Sequence, residues 1–320
     1  MNIYFAPLEG ITGYLFRQTY EKYFGGIDRY YAPFVTMRDG GYMKKKEKWD
    51  IAPENNRGYH LVPQVMTNQA EAFCQASRHM EEMGYDEVNL NLGCPSGTVT
   101  AKNRGAGFLR NPDDLDRFFD TIFAHSPIAI SVKSRIGYYE EDEFYRLLDI
   151  YNQYPIKELI LHPRTREDLY RAPVHREIFS YAAQHSKNPL CYNGDICSLT
   201  DVEKLKKEFP DLKSIMIGRG FLMRPGFIRN SDSSAQKSDN FPGSPDYFDT
   251  LYHFVTELQQ RYTENFSGET PVLFKMKELW SHLKMSVPDS EGCFKKIKKT
   301  KKLSEYNRIV REILVSHHNN

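Results

Sequence analysis

The sequence predicts an α/β protein with a (β/α)8 TIM barrel over residues 1–229, a linker over 230–244 and a small all-helical domain over 245–320. Eight strand-like apolar runs alternate with amphipathic helical stretches, a pattern that fits a closed barrel better than an open sheet. After residue 245 no strand pattern returns, and apolar residues recur at helical spacing. These two observations define the predicted architecture.

The predicted elements follow one another at short intervals. The strands lie near 3–6, 30–35, 61–66, 87–91, 128–132, 158–162, 189–193 and 214–218. The barrel helices lie near 70–83, 113–125, 142–154, 175–185 and 199–208, and those of the helical domain near 247–262, 272–284 and 303–315. Asn111-Pro112 is a helix-start signal and Gly84 a helix-end signal. The segment 230–244 is polar, rich in serine and without periodicity, which is typical of a linker.

The overall composition is that of a soluble protein of enzyme size. The chain has 320 residues and a net charge of +1, so any affinity for a polyanion must come from local patches. Five cysteines without metal-type spacing indicate a reducing compartment and predict no metal site. No basic segment precedes the first apolar residues, and no apolar run reaches the ~18 residues of a membrane span. We expect a cytoplasmic monomer without a membrane partner.

The fourth predicted strand carries the strongest candidate for chemistry. Apolar Val88, Leu90 and Leu92 alternate with polar residues, and Asn91 lies at the end of the strand. Gly-Cys-Pro then stops the strand and places Cys94 in the loop beyond it. Most free cysteines are buried small hydrophobes, but a loop is a less expected place for such a residue. We therefore interpret Cys94 as functional.

Polar groups follow one predicted strand after another, at the end of the barrel where this fold builds its active sites. They are Glu9, Gln64, Asn91, Lys133, His162, Asn193-Gly194-Asp195 and Gly218-Arg219-Gly220. The last two groups supply glycines and an arginine, which suit a phosphate. A ligand anchored there that reached Lys133 and Gln64 would have the size of flavin mononucleotide (FMN). The residues alone leave a sugar phosphate equally open.

Seven motifs in their family order make the chain resemble the tRNA-dihydrouridine synthases. They are Ala6-Pro7-Leu8-Glu9-Gly10, Asn89-Leu90-Asn91-Leu92-Gly93-Cys94-Pro95-Ser96, Arg104-Gly105-Ala106-Gly107, Val132-Lys133-Ser134-Arg135, His162-Pro163-Arg164-Thr165-Arg166, Asn193-Gly194-Asp195 and Ile217-Gly218-Arg219-Gly220. The family more often has Met at position 8 and Gly at position 163. Neither departure removes a polar group, so each affects only the fine geometry of a cofactor site.

The resemblance implies an FMN-dependent enzyme that reduces the C5–C6 double bond of uridines in tRNA, with NADPH as the electron donor. It implies that Cys94 donates a proton to C5, because a thiol with a pKa of ~8.5 is mostly protonated at neutral pH. The implied flavin contacts are Pro7, Leu8, Glu9, Gln64, Lys133, His162, Asn193, Gly194, Asp195, Gly218 and Arg219. The implied substrate contacts are Asn91 and Arg135 at the uracil of a flipped nucleotide, and Lys102, Arg104, Arg164 and Arg166 at the RNA backbone.

A lysine run in the helical domain suggests how that domain binds RNA. Six lysines and no acid occur between positions 295 and 302: Lys295, Lys296, Lys298, Lys299, Lys301 and Lys302. Such a run is either a solvated face or, with a polyanionic substrate, a phosphate-contact patch. We predict the second for this chain.

Three alternative functions remain open at this point. One is a flavin barrel that acts on a free pyrimidine, as a dihydroorotate dehydrogenase does. Another is a colourless phosphate-binding lyase or isomerase in which Lys133 forms a Schiff base or carries a proton. The third is a catalytically silent RNA-binding protein. Flavin content and turnover separate them, whereas the uridine position and the choice between transfer and ribosomal RNA stay open.

Overall fold

The computed structural model describes residues 1–38, 42–228 and 245–315, so the predicted linker at 230–244 lies outside the described residues. The chain forms two compact units. The first comprises Met1–Pro7, Asp28–Asp195 and Lys204–Met216. The second comprises Leu8–Ile27, Ile196–Glu203 and Ile217–Asn320.

The strands of the structure, in chain order, are β1 (Asn2–Phe5), β2 (Arg29–Tyr31), β3 (Met37–Arg38), β4 (Tyr42–Met43), β5 (Leu61–Val62), β6 (Gln64–Val65), β7 (Glu87–Leu92), β8 (Ala129–Gly137), β9 (Leu159–Thr165), β10 (Leu190–Asn193) and β11 (Ser214–Ile217). Strands β3 and β4 form a separate antiparallel hairpin that the sequence pattern did not predict. The other nine form one parallel sheet with the order β5-β2-β1-β11-β10-β9-β8-β7-β6.

This sheet is a closed barrel, as predicted. Strands β5 and β6 lie at opposite ends of the row, yet only Pro63 separates them in the chain. Proline has no N–H to donate to a ladder, which explains why one predicted strand is divided into two. Since β5 pairs with β2 and β6 pairs with β7, the continuous stretch 61–65 joins the two edges. The (β/α)8 prediction is confirmed.

The interior of the barrel is packed with apolar side chains. Alternate residues of each strand point inward, and one buried cluster contains Tyr4, Ala6, Tyr31, Val62, Ile160, Cys191 and Met216. Burial of the Cys191 thiol among these side chains raises its pKa well above the ordinary value. Cys191 is therefore an inert core residue.

The helices are α1 (Tyr14–Tyr23), α2 (Lys45–Asp50), α3 (Ala70–Glu82), α4 (Gly97–Thr100), α5 (Pro112–His125), α6 (Glu143–Tyr151), α7 (Arg176–His185), α8 (Leu199–Glu208), α9 (Arg219–Met223), α10 (Pro245–Asn265), α11 (Glu269–Leu283), α12 (Ser290–Lys299) and α13 (Leu303–Val315). Short 3-10 helices occur at Pro53–Asn55, Gly105–Arg110 and Lys284–Ser286. All eight predicted helices are present, and α5 starts at Pro112 as its start signal indicates. The pattern did not predict α1, α2, α4, α9 or α12.

The second unit is helical and larger than the predicted region 245–320, because α1 packs with the C-terminal helices. Phe254 of α10 lies among three rings of α1 and its end, at centroid distances of 5.9 Å from Phe16, 6.2 Å from Tyr20 and 5.1 Å from Phe24. Such aromatic contacts add to the area that the helices bury. None of the helices in the described ranges has the length and apolarity that a membrane span needs.

Candidate active site

A row of buried amides crosses the inside of the barrel in the first unit. Asn91 donates from Nδ2 to Gln64 Oε1 at 2.7 Å, and Gln64 donates from Nε2 to Asn89 Oδ1 at 2.8 Å. Asn89 then donates from Nδ2 to Ser131 Oγ at 2.9 Å. The register of the sheet pairs Gln64 with Asn89 and Asn89 with Ser131, so the contacts follow from neighbouring strands. Each buried amide is thereby hydrogen-bonded, as burial requires.

The loop that carries Cys94 is held by the first amide of this row. Asn91 Oδ1 accepts the backbone N–H groups of both Gly93 and Cys94, each at 3.0 Å. The carbonyl of Cys94 accepts the N–H of Ala106 at 3.1 Å. A Cβ on Gly105, whose φ is +55°, would lie only 2.8 Å from that carbonyl oxygen. The Cys94 loop therefore depends on the glycine at 105 as well as on Asn91.

Arg135 is buried and holds three backbone carbonyls. Its Nε donates to Gly93 O at 3.0 Å, its Nη1 to Thr165 O at 2.6 Å and its Nη2 to Leu169 O at 3.0 Å. Its guanidinium carbon lies 5.2 Å from the ring centre of Tyr170. The sequence predicts Arg135 at the uracil, whereas here its donors support the loops after β7 and β9. That role would position Cys94 from the side opposite to Asn91.

Lys133 points a positive charge toward the same loop without a carboxylate partner among the described residues. It pairs in register with Asn91, and its Nζ lies 3.9 Å from where a Cβ on Gly93 would be. Burial, and then the charge of Arg135, lower the pKa of Lys133 to about 8. A partly buried cation of this kind is costly unless an electron-rich ligand lies beside it. Lys133 therefore marks a place for an anionic or electron-rich group.

Buried His162 and Arg164 of β9 form a polar group with exposed Asp195, which follows β10. Arg164 donates from Nη1 to His162 Nε2 at 3.1 Å and to Asp195 Oδ1 at 3.0 Å, and its Nη2 also pairs with Asp195. An arginine only donates, so His162 Nε2 accepts and the proton of the neutral ring is on Nδ1. The resemblance implies Arg164 at the RNA backbone; in the structure its guanidinium is buried and also donates to Ala172 O at 2.7 Å.

The Asn193-Gly194-Asp195 motif closes this part of the first unit. Asn193 is buried and donates to the carbonyl of Met216 at 2.8 Å. A Cβ on Gly194 would lie 2.9 Å from Val174 and 3.4 Å from the ring of His162. Glycine thus lets the backbone lie directly against the side chain of Val174, beside the ring of His162. Pro7, at the edge of this unit, is half-buried.

The predicted flavin contacts Leu8, Glu9, Gly218 and Arg219 belong to the second unit. Leu8 donates its N–H to Thr12 Oγ1 at 2.8 Å, which closes a tight loop before α1, and Glu9 in that loop is exposed. Gly218 precedes α9, and Arg219 is the first residue of that short helix. Both segments are loops or helix starts, as expected for residues that contact a ligand.

The remaining predicted RNA contacts lie at the surface of the first unit. Lys102 is exposed, and Arg104 and Arg166 are partly exposed. The Nε atoms of both arginines are buried without a hydrogen-bond partner among the residues that the structure describes. Arg166 Nη1 pairs with Glu167 at 2.7 Å, so only part of its charge is available to a phosphate.

Sequence reasoning missed Ser131 and Tyr170. Ser131 had a signal, because it occupies the same face of its strand as Lys133 and lies level with Asn89 in the neighbouring strand. Tyr170 had none, since it lies in an irregular loop after β9. Its ring is about half exposed and lies 6.0 Å from that of His162.

Known proteins resemble this chain in sequence and in fold. The model of the dihydrouridine synthase (Dus) family matches residues 4–312. A tRNA-dihydrouridine(16) synthase of Pseudomonas putida is 24% identical and aligns over 97% of this chain and 96% of its own length. For tRNA-dihydrouridine synthase B of Pasteurella multocida the identity is 24%, over 82% of this chain and 78% of the relative.

A comparison of folds gives a compatible result. The structure of histamine dehydrogenase from a Rhizobium species has a TM-score of 0.55 and 12% identity, and covers 80% of this chain and 49% of the other. At that identity the likeness concerns the fold alone. The family match over nearly the whole chain is decisive: this chain belongs to the dihydrouridine synthases, which are flavin-dependent oxidoreductases.

Proposed function

We propose that this protein is a tRNA-dihydrouridine synthase that binds FMN, takes electrons from NADPH and reduces the C5–C6 bond of a uridine in tRNA. The observation that carries the proposal is Lys133, a shielded cation without a carboxylate partner in the described residues, beside the loop of Cys94. The family match supports the same reaction. The names of the relatives support tRNA as the substrate.

The residues of the first unit suit a flavin. Lys133 would offer its charge to the electron-rich edge of the ring, where negative charge accumulates on reduction. Gln64 uses one N–H in its hydrogen bond to Asn89 and one lone pair in its hydrogen bond from Asn91. One donor and one acceptor of its amide are left for a ligand. His162, Asn193, Gly194, Asp195 and Pro7 would line the same ligand. We extend the proposal to Leu8, Glu9, Gly218 and Arg219 on the family resemblance.

Bound flavin would supply the hydride that goes to C6 of the uracil. The chain then supplies the proton, and we assign it to the Sγ–H of Cys94, which would protonate C5. Asn91 and Arg135 hold the two polar ends of the peptide before this thiol, the N–H of Cys94 and the C=O of Gly93. We propose that they also limit where the uracil lies, since the Cys94 loop forms one wall of its position.

The helical unit offers a surface for the rest of the RNA. All six lysines of the run 295–302 are exposed, and none forms an ion pair within the described part of the chain. Helix α12 presents four of them on the turns around buried Ile297. When exposed lysines neutralise the phosphates of a nucleic acid, the counterions condensed on that nucleic acid are released. This face is therefore suited to a polyanion. Lys102, Arg104 and Arg166 would serve the same purpose near the barrel.

The function is tested by the colour of the protein and by its product. We expect the purified protein to be yellow and to release FMN on denaturation. We also expect dihydrouridine to disappear from specific tRNA positions in cells that lack the protein, and to return on complementation. A colourless protein that cannot be reconstituted with FMN would favour the lyase or isomerase alternative. Flavin with turnover of free pyrimidine but not of RNA would favour the dihydroorotate-type alternative.

Replacing Lys295, Lys298 and Lys299 together by glutamine should weaken tRNA binding and flatten its dependence on salt. Each lost phosphate contact should lower the slope of log affinity against log salt by about one. The measurement is a binding titration at several salt concentrations. FMN binding should be unchanged, because the three side chains are exposed and on another element from the cofactor loops.

The matched control is the triple variant Lys204→Gln, Lys206→Gln and Lys207→Gln, which removes three exposed lysines from α8. It changes the net charge equally. Equal losses of affinity and slope in both triple variants would mean that only overall charge matters. If neither triple variant lost tRNA affinity, the lysine run 295–302 would be a solvated face and not a phosphate-contact patch.

A further inference from the structure

Helix α11 contacts two segments of the second unit that the family resemblance assigns to the flavin. Lys275 donates from Nζ to the carbonyl of Gly10, in the loop that contains Leu8 and Glu9. Glu278, one turn further, lies against the same peptide, because a Cβ on Gly10 would be 3.1 Å from its Oε1. His282 lies one more turn along the helix, and its pKa is lowered by burial and then by the positive charge of Arg219.

These three residues lie on one face of the helix. Their spacing of three and four positions places side chains in a row along α11. Lys275 and Glu278 reach the loop before α1, and helix α11 also packs against α9. One rigid element of 15 residues therefore sets the positions of both segments within this unit.

Gly10 is the turn residue of the loop that contains Leu8 and Glu9, so the position of its backbone sets the path of that loop. Its φ is +84°, a left-handed conformation that reverses the chain after Glu9. Thr12 holds the loop from within through its contacts with Leu8, and buried Arg17 of α1 donates to Thr12 O at 2.7 Å. From α11, Lys275 donates a hydrogen bond to the turn itself, and Glu278 lies against it.

The balance of charge around Gly10 is delicate. Lys275 Nζ and Glu278 Oε2 are 3.9 Å apart, and this oxygen is buried without a hydrogen-bond partner among the described residues. The lysine thus stabilises both a carbonyl and a partly buried carboxylate. Removing its ammonium alone would leave the carboxylate uncompensated, a larger disturbance than removing both charges.

We infer that Lys275 and Glu278 of α11 are positioning residues for the cofactor loop at Leu8–Gly10, so that the helical unit sets the affinity for FMN. The inference rests on the proposed function for the identity of the ligand. It goes beyond that proposal because neither residue is assigned to the flavin or to the RNA. Both would act through the backbone of Gly10.

The test compares two lysine variants of the same helix. Lys277 also donates to a backbone carbonyl, that of Thr300 at 2.5 Å, so Lys277→Met removes the same kind of bond elsewhere. We expect Lys275→Met to weaken FMN binding to the apoprotein about tenfold, because a hydrogen bond to a charged group is lost. Lys277→Met should keep wild-type FMN affinity, with a similar effect on the unfolding temperature.

Two further variants separate positioning from general stability. Lys275→Arg keeps a donor and should restore most of the FMN affinity. The double variant Lys275→Met with Glu278→Gln should bind FMN more tightly than Lys275→Met alone, because it leaves no uncompensated carboxylate. Equal FMN affinities for Lys275→Met and Lys277→Met would overturn the inference, as would losses in both that follow their unfolding temperatures.

The apoprotein provides a readout that needs no flavin. Amide hydrogen exchange at Glu9, Ile11 and Thr12 should be faster in Lys275→Met and unchanged in Lys277→Met. If the wild-type protein bound no FMN, the proposed function would fail while this measurement still decided whether Lys275 holds the loop. Unchanged exchange in Lys275→Met would exclude the positioning role.

Discussion

Cys94→Ala should lower the rate of dihydrouridine formation by ~10²–10⁴-fold, the usual cost of removing a general acid. After hydride reaches C6, C5 of the uracil needs a proton, and the structure places the thiol in a loop held by Asn91 and the Gly105 turn. Reduction of the bound flavin by NADPH should proceed as in the wild type. The measurement is a single-turnover assay with prereduced enzyme and unmodified tRNA.

Two variants accompany this experiment. Cys94→Ser should be nearly as slow, because a hydroxyl is a much weaker acid than a thiol. Cys197→Ala removes another partly exposed cysteine, outside the first unit, and should turn over normally. Dihydrouridine formation by Cys94→Ala at close to the wild-type single-turnover rate would show that another group donates the proton.

Lys133→Met should make the midpoint potential of the bound flavin more negative and slow its reduction by NADPH about 10²-fold. A cation beside the site stabilises the anionic reduced ring more than the neutral oxidised ring. If the protein binds the reduced ring over the oxidised ring tenfold to hundredfold less selectively, the potential falls by roughly 30–60 mV for a two-electron couple. The potential can be measured by spectroscopic titration against a reference dye, and the reduction rate by stopped flow.

The effect of Lys133 should depend on pH in a defined direction. Burial lowers its pKa to about 8, so in the apoprotein the ammonium is lost as the pH rises through this value. An anionic ring favours the charged form and moves this pKa upward again. The difference in potential between wild type and Lys133→Met should therefore persist above pH 8 and shrink at still higher pH.

Unfolding provides an independent check on the same group. The unfolded chain binds its proton up to a pKa of ~10.4, so between this value and about 8 the unfolded state holds more protons than the native apoprotein. The contribution of Lys133 to the free energy of unfolding should consequently rise with pH in this range. Lys213→Met, an exposed lysine just before β11, is the control and should leave the potential unchanged. An unchanged potential in Lys133→Met would remove the lysine from the cofactor site.

The barrel was predictable because its signal is repeated along the chain. Each strand needs only a short apolar run, and eight such runs in alternation with helices leave few other folds. The ends of the strands were harder to predict than their existence. Strand β8 continues to Gly137, beyond the predicted end at 132, because the inside of the barrel accommodates Lys133 and buried Arg135. A change from apolar to charged residues therefore did not mark the end of that strand.

The partners of charged residues could not be read from local pattern. In sequence, Arg164 and Arg135 resemble arginines that contact a ligand. In the structure, Arg164 donates to Asp195, and Arg135 donates to carbonyls at the end of β9 and in the irregular loop that follows it. That loop has no periodicity, so its path, and hence which carbonyls it offers, depends on tertiary packing. The same applies to α1, which the pattern did not predict and which packs against α10.

The row of amides from Asn91 to Ser131 has a mechanical consequence for the Cys94 loop. Every donor in the row points away from the loop, and this direction is set where Asn91 accepts two backbone N–H groups. If the loop moved away and the side-chain amide of Asn91 rotated by 180°, the amides of Gln64 and Asn89 would have to rotate as well. Otherwise two oxygens or two NH₂ groups would face each other in the row. Ser131 could end either arrangement, because a hydroxyl both donates and accepts. The row thus has two self-consistent polarities and no intermediate one, so the loop should release as a single cooperative step and not by gradual loosening.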